Sequence, residues 1–205
     1  MKVLLINGSP HEHGCTYTAL AEVEKALQSC GAETEILWVG NGPVQDCIGC
    51  GACRKAGKCV LSDDDIVQTI LQKAATADGF VFGTPVYYAH PSGRILSILD
   101  RVFFSGGRSF SHKPAASVVS ARRGGTTASF DVMNKYFTIS EMPVVSSSYW
   151  NMVHGNKPED VLQDAEGLQT MRNLGRNLAW LIDCIQKSGL PAPVSERGAF
   201  TNFIR

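Results

Sequence analysis

Four thiols fall within thirteen residues, at Cys47, Cys50, Cys53 and Cys59. The first three repeat as C-x2-C-x2-C, and the fourth follows after five residues. Thiolates so spaced can take three corners of an iron–sulfur cube while a fourth closes it. Gly49, Gly51 and Gly57 allow the tight wrapping this needs. Two other chemistries stay open for the same residues. One is thiol redox without a metal. The other is a four-cysteine zinc site, though zinc usually takes two cysteine pairs separated by a longer span. Cys30 and Cys184 fall in helical stretches and read as structural.

A second constellation runs from Gly8 to Thr18, Gly-Ser-Pro-His-Glu-His-Gly-Cys-Thr-Tyr-Thr. It follows a short apolar strand and leads into a helix. The start of a helix offers unpaired N–H groups and a partial positive charge, which suits a phosphate dianion. Gly8 and Gly14 permit a tight path, and Ser9, Thr16 and Thr18 carry hydroxyl donors. The sequence lacks both G-x-x-x-x-G-K-[ST] and G-x-G-x-x-G. That argues against a P-loop nucleotidase and against a dinucleotide held in the Rossmann manner.

These residues need a scaffold, and the hydrophobic pattern supplies one. Strands are expected at Lys2 to Asn7, Glu33 to Val39, Gly79 to Thr84, Ala115 to Ala121 and, briefly, near Pro143 to Ser146. Helical stripes separate them. Leu20, Val23 and Leu27 form the first, ended by Gly31. Ile66, Val67, Ile70, Leu71 and Ala74 form the second, with Ser62, Asp63, Asp64 and Asp65 as capping and first-turn residues. Ile95, Ile98, Leu99, Val102 and Phe103 form the third, stopped by Gly106-Gly107. A fourth helix spans about Thr126 to Phe137. The last runs from about Pro158 to Lys187, with Leu168, Met171, Leu174, Leu178, Leu181 and Ile185 on one side. Gly40 to Cys59 and Pro85 to Gly93 read as loops. Alternating strands and helices imply a doubly wound α/β fold, a parallel sheet with helices on both faces. Ligands of such sheets bind beyond the carboxyl ends of the strands, where strand order reverses.

The chain has 205 residues, 44% hydrophobic and 19% charged, with zero formal net charge. No basic excess marks a nucleic-acid partner. No apolar run approaches the roughly 20 residues of a membrane span. The opening MKVLLINGSP is too short for a signal peptide and lacks the cleavage pattern. With an odd count of seven cysteines, a cytoplasmic location is expected, where clustered cysteines serve metals or redox chemistry.

Residues 3 to 10, Val-Leu-Leu-Ile-Asn-Gly-Ser-Pro, resemble the opening of the NADPH-dependent FMN reductase family of flavodoxin-like proteins. Gly83-Thr84-Pro85-Val86-Tyr87-Tyr88 resembles that family's second flavin loop, and Gly93 to Arg101, ending Leu99-Asp100-Arg101, the helix after it. The resemblance covers roughly residues 1 to 150. It implies a flavodoxin-like five-stranded parallel sheet in the order 2-1-3-4-5. It also implies FMN as cofactor, with the phosphate held by Ser9, His11, Cys15 and Thr16. Family members often carry Arg where His11 stands and Asn where Cys15 stands, so FMN affinity is expected to be modest. Pro85, Val86, Tyr87 and Tyr88 are expected against the flavin ring. A third loop, Ser120, Arg122, Gly124 and Gly125, is expected to border it. Arg122 and Arg123 are candidates to stabilise the anionic reduced flavin. The cysteine motif resembles that of the iron-sulfur flavoproteins, a branch of the same family in which it binds a [4Fe–4S] cluster. Related flavoproteins carry similar cysteines without a cluster, so the three chemistries above stay open.

The expected organisation is an FMN-binding domain over residues 1–188, with a cysteine-rich loop at 46–59 and a C-terminal arm at 189–205. The leading reading is an oxidoreductase that passes electrons from NAD(P)H to a quinone, flavin or similar small acceptor. The alternative is an electron carrier fed by ferredoxin through the cysteine loop. A module that only senses FMN has no feature beyond the same loops. The family also implies a homodimer or homotetramer. His90, and the stretch from Tyr149 to Asn156 with Trp150 and His154, lie near the expected site without an assigned role.

Overall fold

A computed structural model describes residues 1–61, 65–201 and 203. The expected cap residues Ser62, Asp63 and Asp64 lie outside the described residues. The elements, in chain order, are β1 (Lys2–Asn7), α1 (Cys15–Ser29), β2 (Glu33–Trp38), α2 (Cys53–Ala56), α3 (Ile66–Ala74), β3 (Gly79–Tyr87) and β4 (His90–Pro91). They continue with α4 (Gly93–Gly106), a 3-10 turn (Gly107–Ser109), β5 (Ala115–Ala121), α5 (Thr126–Ile139), β6 (Met152–His154), α6 (Pro158–Val161) and α7 (Ala165–Ser188).

The parallel strands lie in the order β2-β1-β3-β5-β6. This is the expected 2-1-3-4-5 arrangement, with the two-residue β4 added off the path, antiparallel to β3. Strand order reverses between β1 and β3, so the crevice at the carboxyl edge opens there. Central strands covered on both faces are largely apolar or small. Every residue of β5 is buried, as are five of the six in β1.

Two cores form, one on each face. Phe80, Phe82, Ile98, Leu99, Val102, Phe110 and Phe137 pack on the side of α3, α4 and α5. Phe80 and Phe110, and Phe82 and Phe137, meet at ring separations of 4.8 and 5.2 Å. Leu5, Leu20, Val23, Val81, Val118, Met171, Leu174 and Leu178 fill the side of α1 and α7.

Five expectations need correction. The short fifth strand is Met152–His154 rather than Pro143 to Ser146. Val144 makes an isolated bridge to Ala115, whose N–H donates to Pro143 O at 2.9 Å and whose O accepts from Val145 N–H at 2.8 Å, and the chain then leaves the sheet. The single last helix is two, because Asp164 takes Gly167 N–H as an N-cap at 2.9 Å and the backbone N–H of His154 at 2.7 Å. In α7 the buried face passes to Ile182 while Ile185 is exposed. Pro85 to Gly93 is no simple loop, since β3 runs on to Tyr87 and turns back as a hairpin. Cys30 is the cap residue after α1 and lies outside the helix.

Candidate functional site

The loops after β1, β3 and β5 meet at the carboxyl edge of the sheet. The first is built by Asn7, whose role the motif did not reveal. Its Oδ1 accepts from Ser9 N–H at 3.1 Å and its Nδ2 donates to Glu12 O at 2.8 Å. Such a turn mimics a backbone turn with a side chain, and an Asn at a strand end before Gly-Ser-Pro is its sequence signal. Ser9 Oγ accepts from His11 N–H at 3.1 Å, and Trp38 Nε1 donates to Ser9 O at 2.8 Å. Gly8 lets the loop lie on the neighbouring strand: its N–H donates to Gly83 O at 2.9 Å, and a Cβ there would sit 2.6 Å from that oxygen.

The loop delivers the chain to the start of α1. Its N-cap is Gly14, which has no side chain with which to cap, so the first-turn N–H groups meet no side-chain acceptor. Ser9 and Thr16 are buried, Cys15 is half-buried and His11 is exposed. Thr16 Oγ1 and Ser120 Oγ bond each other at 2.8 Å, joining the first and third loops. Cys15 Sγ donates to Gly155 O at 3.6 Å. Burial, with Asp160 and Glu159 nearby, pushes the Cys15 thiol up, so it remains a neutral donor at neutral pH.

The second loop is a two-residue hairpin in which Tyr87 pairs with His90. Tyr88 and Ala89 carry φ of 50° and 61°, the left-handed pair a tight hairpin requires, here without glycine. Tyr88 is fully exposed, Tyr87 is exposed at 46%, and Pro85 and Val86 are half-buried. The hairpin is braced by Ser92, which caps α4, accepts from Ile95 N–H, and donates Oγ–H to Gly8 O at 3.1 Å. Ser92 N–H in turn donates to Thr84 Oγ1 at 3.1 Å.

The third loop packs on this hairpin. Gly125 has φ of 97°, and a Cβ there would lie 2.6 Å from Ala89 Cα. Gly124 has open space within 4 Å of its Cβ position. Arg122 and Arg123 are exposed, and α5 begins at Gly125 with no side-chain cap. Two uncapped helix starts therefore flank one edge, beside two exposed tyrosines.

The four cysteines lie away from these loops, in the segment 47–59, which meets α4 further along its length. Cys47, Cys50, Cys53 and Cys59 line one pocket with Arg101 and Phe104. Arg101 stands nine residues beyond Ser92, about 13 Å further along the helix axis. All seven cysteines are free thiols. Among the described residues, no three His, Cys, Asp or Glu side chains lie close enough together to hold a metal ion.

Cys59 is the buried one of the four, Cys50 is exposed, and Cys47 and Cys53 are half-buried. Arg101, at 2% exposure, donates Nε–H to Cys59 Sγ at 3.3 Å and Nη2–H to Asp65 Oδ2 at 2.5 Å. Burial works to lower its pKa, but the bonds to Cys59 and Asp65 prevail and raise it. Asp65 is also the N-cap of α3, accepting from Val67 and Gln68 N–H. A lone cation on the buried stripe of α4, three residues after Ile98, was the sequence signal for this contact.

The family model for NADPH-dependent FMN reductase matches residues 1–157. The chain is 34% identical over 195 residues to the iron-sulfur flavoprotein MJ1083 of Methanocaldococcus jannaschii, covering 91% of this chain and all of that one. It is 30% identical over 194 residues to an iron-sulfur flavoprotein of Methanosarcina thermophila, covering 92% and 98% of the two chains. Among solved structures, the NAD(P)H:quinone oxidoreductase from Methanothermobacter marburgensis superposes with a TM-score of 0.66 at 16% identity, over 87% of this chain and 96% of that one. The chain belongs to the NADPH-dependent FMN reductase family, flavin-dependent oxidoreductases of flavodoxin-like fold. No helix among the described residues is long and apolar enough to cross a membrane.

Proposed function

We propose that this protein uses FMN to carry electrons from NAD(P)H to a small acceptor such as a quinone or flavin, with a [4Fe–4S] cluster as its second redox centre. The observation that carries the reading is the convergence of three loops on the β1/β3 crevice, beside an uncapped helix start. FMN supplies one- and two-electron chemistry when bound. The first-turn N–H groups of α1, with Ser9, His11 and Thr16, receive the phosphate. Because the Thr16 and Ser120 hydroxyls already bond each other, backbone N–H groups do most of that work. Tyr87 and Tyr88 offer flat apolar surface, and the open face at Gly124 admits a ring edge. Arg122 and Arg123 supply positive charge where negative charge develops on reduction.

The cysteine pocket fits an iron–sulfur group by its donors, four free thiols among its lining residues, without imidazole or carboxylate among them. Gly49, Gly51 and Gly57 have positive φ and open space around them, so the loop can close on a guest. The relatives named above are iron-sulfur flavoproteins, which favours this reading over zinc or bare thiols.

A second reading is an electron carrier fed by a protein donor such as ferredoxin. Arg54 and Lys55 are exposed on α2, and Ile48 and Phe104 are exposed at 59% and 53% on the pocket lining. A basic and apolar rim suits an acidic partner. The free thiols support a cytoplasmic location. The family supports a homodimer or homotetramer, which light scattering would establish.

An absorption spectrum of protein purified without oxygen tests the cofactors. Flavin bands over a broad iron–sulfur shoulder are expected, and a protein that stays colourless with added FMN would overturn the reading. Anaerobic mixing with NADH, NADPH or reduced ferredoxin then separates the two donors. Flavin bleaching by neither nucleotide would exclude the first.

A further inference from the structure

A buried guanidinium is costly unless its N–H groups are met, so the partners of Arg101 bear on its purpose. It grips three points of chain. Nη1–H donates to Gln45 O at 3.3 Å, just before the first cysteine. Nη2–H meets Asp65, just after the last. Nε–H points at the thiol of Cys59. Cys59 is held further by Gln68, whose Nε2–H donates to Cys59 O at 2.7 Å. Cys59 thus enters the pocket at 7% exposure with its sulfur on a cation, while Cys50 is exposed. A clamp on the loop ends needs only Asp65 and the Gln45 carbonyl. Directing a charged N–H at sulfur adds something a clamp does not need.

We propose that Arg101 is a positioning residue that fixes Cys59 and sets the reduction potential of the cluster held by the four cysteines, with Asp65 as its counter-charge. The inference rests on the reading that the pocket holds a cluster. Reduction adds one electron to the cluster, with no protein bond made or broken and no proton moved. The added electron increases negative charge on the sulfurs. A cationic N–H donor to a ligating sulfur favours that state and raises the potential. Asp65, on the same guanidinium, opposes the effect.

The test is a redox titration of cluster-loaded protein with dithionite and mediator dyes, following the electron paramagnetic resonance of the reduced cluster rather than the flavin. Arg101→Gln is expected to make reduction about tenfold less favourable, about 59 mV for one electron. Arg101→Lys keeps the charge but not the fork, and is expected to shift less in the same direction. Asp65→Asn keeps an N-cap for α3 and is expected to shift the potential upward. If the arginine variants hold no cluster, Asp65→Asn decides, and an unshifted potential overturns the proposal. Loaded arginine variants titrating like the parent overturn it as well. Positioning is read separately on metal-free protein by iodoacetamide labelling and mass spectrometry. Cys59 is expected to label several-fold faster in Arg101→Lys while Cys50 does not change, and equal labelling would refute the positioning role. A parent protein that takes up no iron on reconstitution removes the potential-setting role together with the cluster reading, and the labelling result alone then judges the positioning.

Discussion

Replacing Gly125 by alanine is expected to loosen the second and third loops together. An added Cβ would lie 2.6 Å from Ala89 Cα and 2.8 Å from Val86 Cγ1. Ala89 already sits at φ of 61°, so its backbone has little room to yield. Placing an L side chain in the left-handed region costs about 1–2 kcal/mol. Overpacking against backbone costs about 1–3 kcal/mol more. The two together reach about 2–5 kcal/mol, which at a urea m value of about 2 kcal/mol/M lowers the midpoint by about 1–2.5 M. Gly124→Ala is the internal control. Its Cβ would meet nothing within 4 Å, so stability should move by no more than about 0.5 kcal/mol. Urea unfolding of cofactor-free protein, followed by circular dichroism, reads stability, and quenching of flavin fluorescence reads FMN affinity. Gly125→Ala is expected to lose both, and Gly124→Ala affinity alone. A Gly125→Ala midpoint equal to the parent's would refute the close approach of loop and hairpin, and undiminished affinity in Gly124→Ala would remove Gly124 from the flavin wall.

Ser120→Ala strands the buried Thr16 hydroxyl and should cost about 1–3 kcal/mol, whereas adding Thr16→Val should recover part of that loss in denaturant titrations. Trp38→Phe removes the bond to Ser9 O and should cost about 1 kcal/mol while weakening FMN binding, measured by the same titrations. Glu141 is held below the usual carboxylate range by hydrogen bonds from Ser195 and Ser111, with Arg197 and His112 contributing. A depressed carboxylate gives stability that is complete above its unfolded pKa and lost as pH falls through the folded one. The arm at 189–201 should therefore become sensitive to protease on acidification, and Glu141→Gln should show that sensitivity already at neutral pH. Lys113 packs under Phe80 and is lowered by burial, opposed by Asp78. Its contribution is complete above its unfolded pKa and falls as pH drops towards the folded one, so Lys113→Met should flatten the stability profile on the alkaline side.

The strands β1 and β5 were legible from sequence because each is a short, mostly apolar or small-residue run between turn residues, and both were located to the residue. The turn between β1 and α1 was legible too, since Gly8, Ser9 and Gly14 advertise a turn before a helix. The edge strand was not. Pro143 to Ser146 has the apolar character of a strand and meets β5 at one bridge, Val144 to Ala115, but the three-residue ladder forms at the other end of β5, with Met152 to His154. The break at Leu162 to Asp164 was hidden too, because Asp164 is bonded from His154 on another element. Thr16 and Ser120 both read as ligand-facing hydroxyls, and only their proximity shows that they satisfy each other.

Residue types and spacings along one stretch of chain already carried the alternation of strands and helices, the family, and the presence of four clustered thiols. Folding alone brought the hairpin onto Gly125 and Cys59 against Arg101, 42 positions away along the chain. Contacts between distant segments depend on which faces the sheet brings together. A charged residue on an apolar stripe announces that a partner must exist, but burial and strand order choose which partner it is.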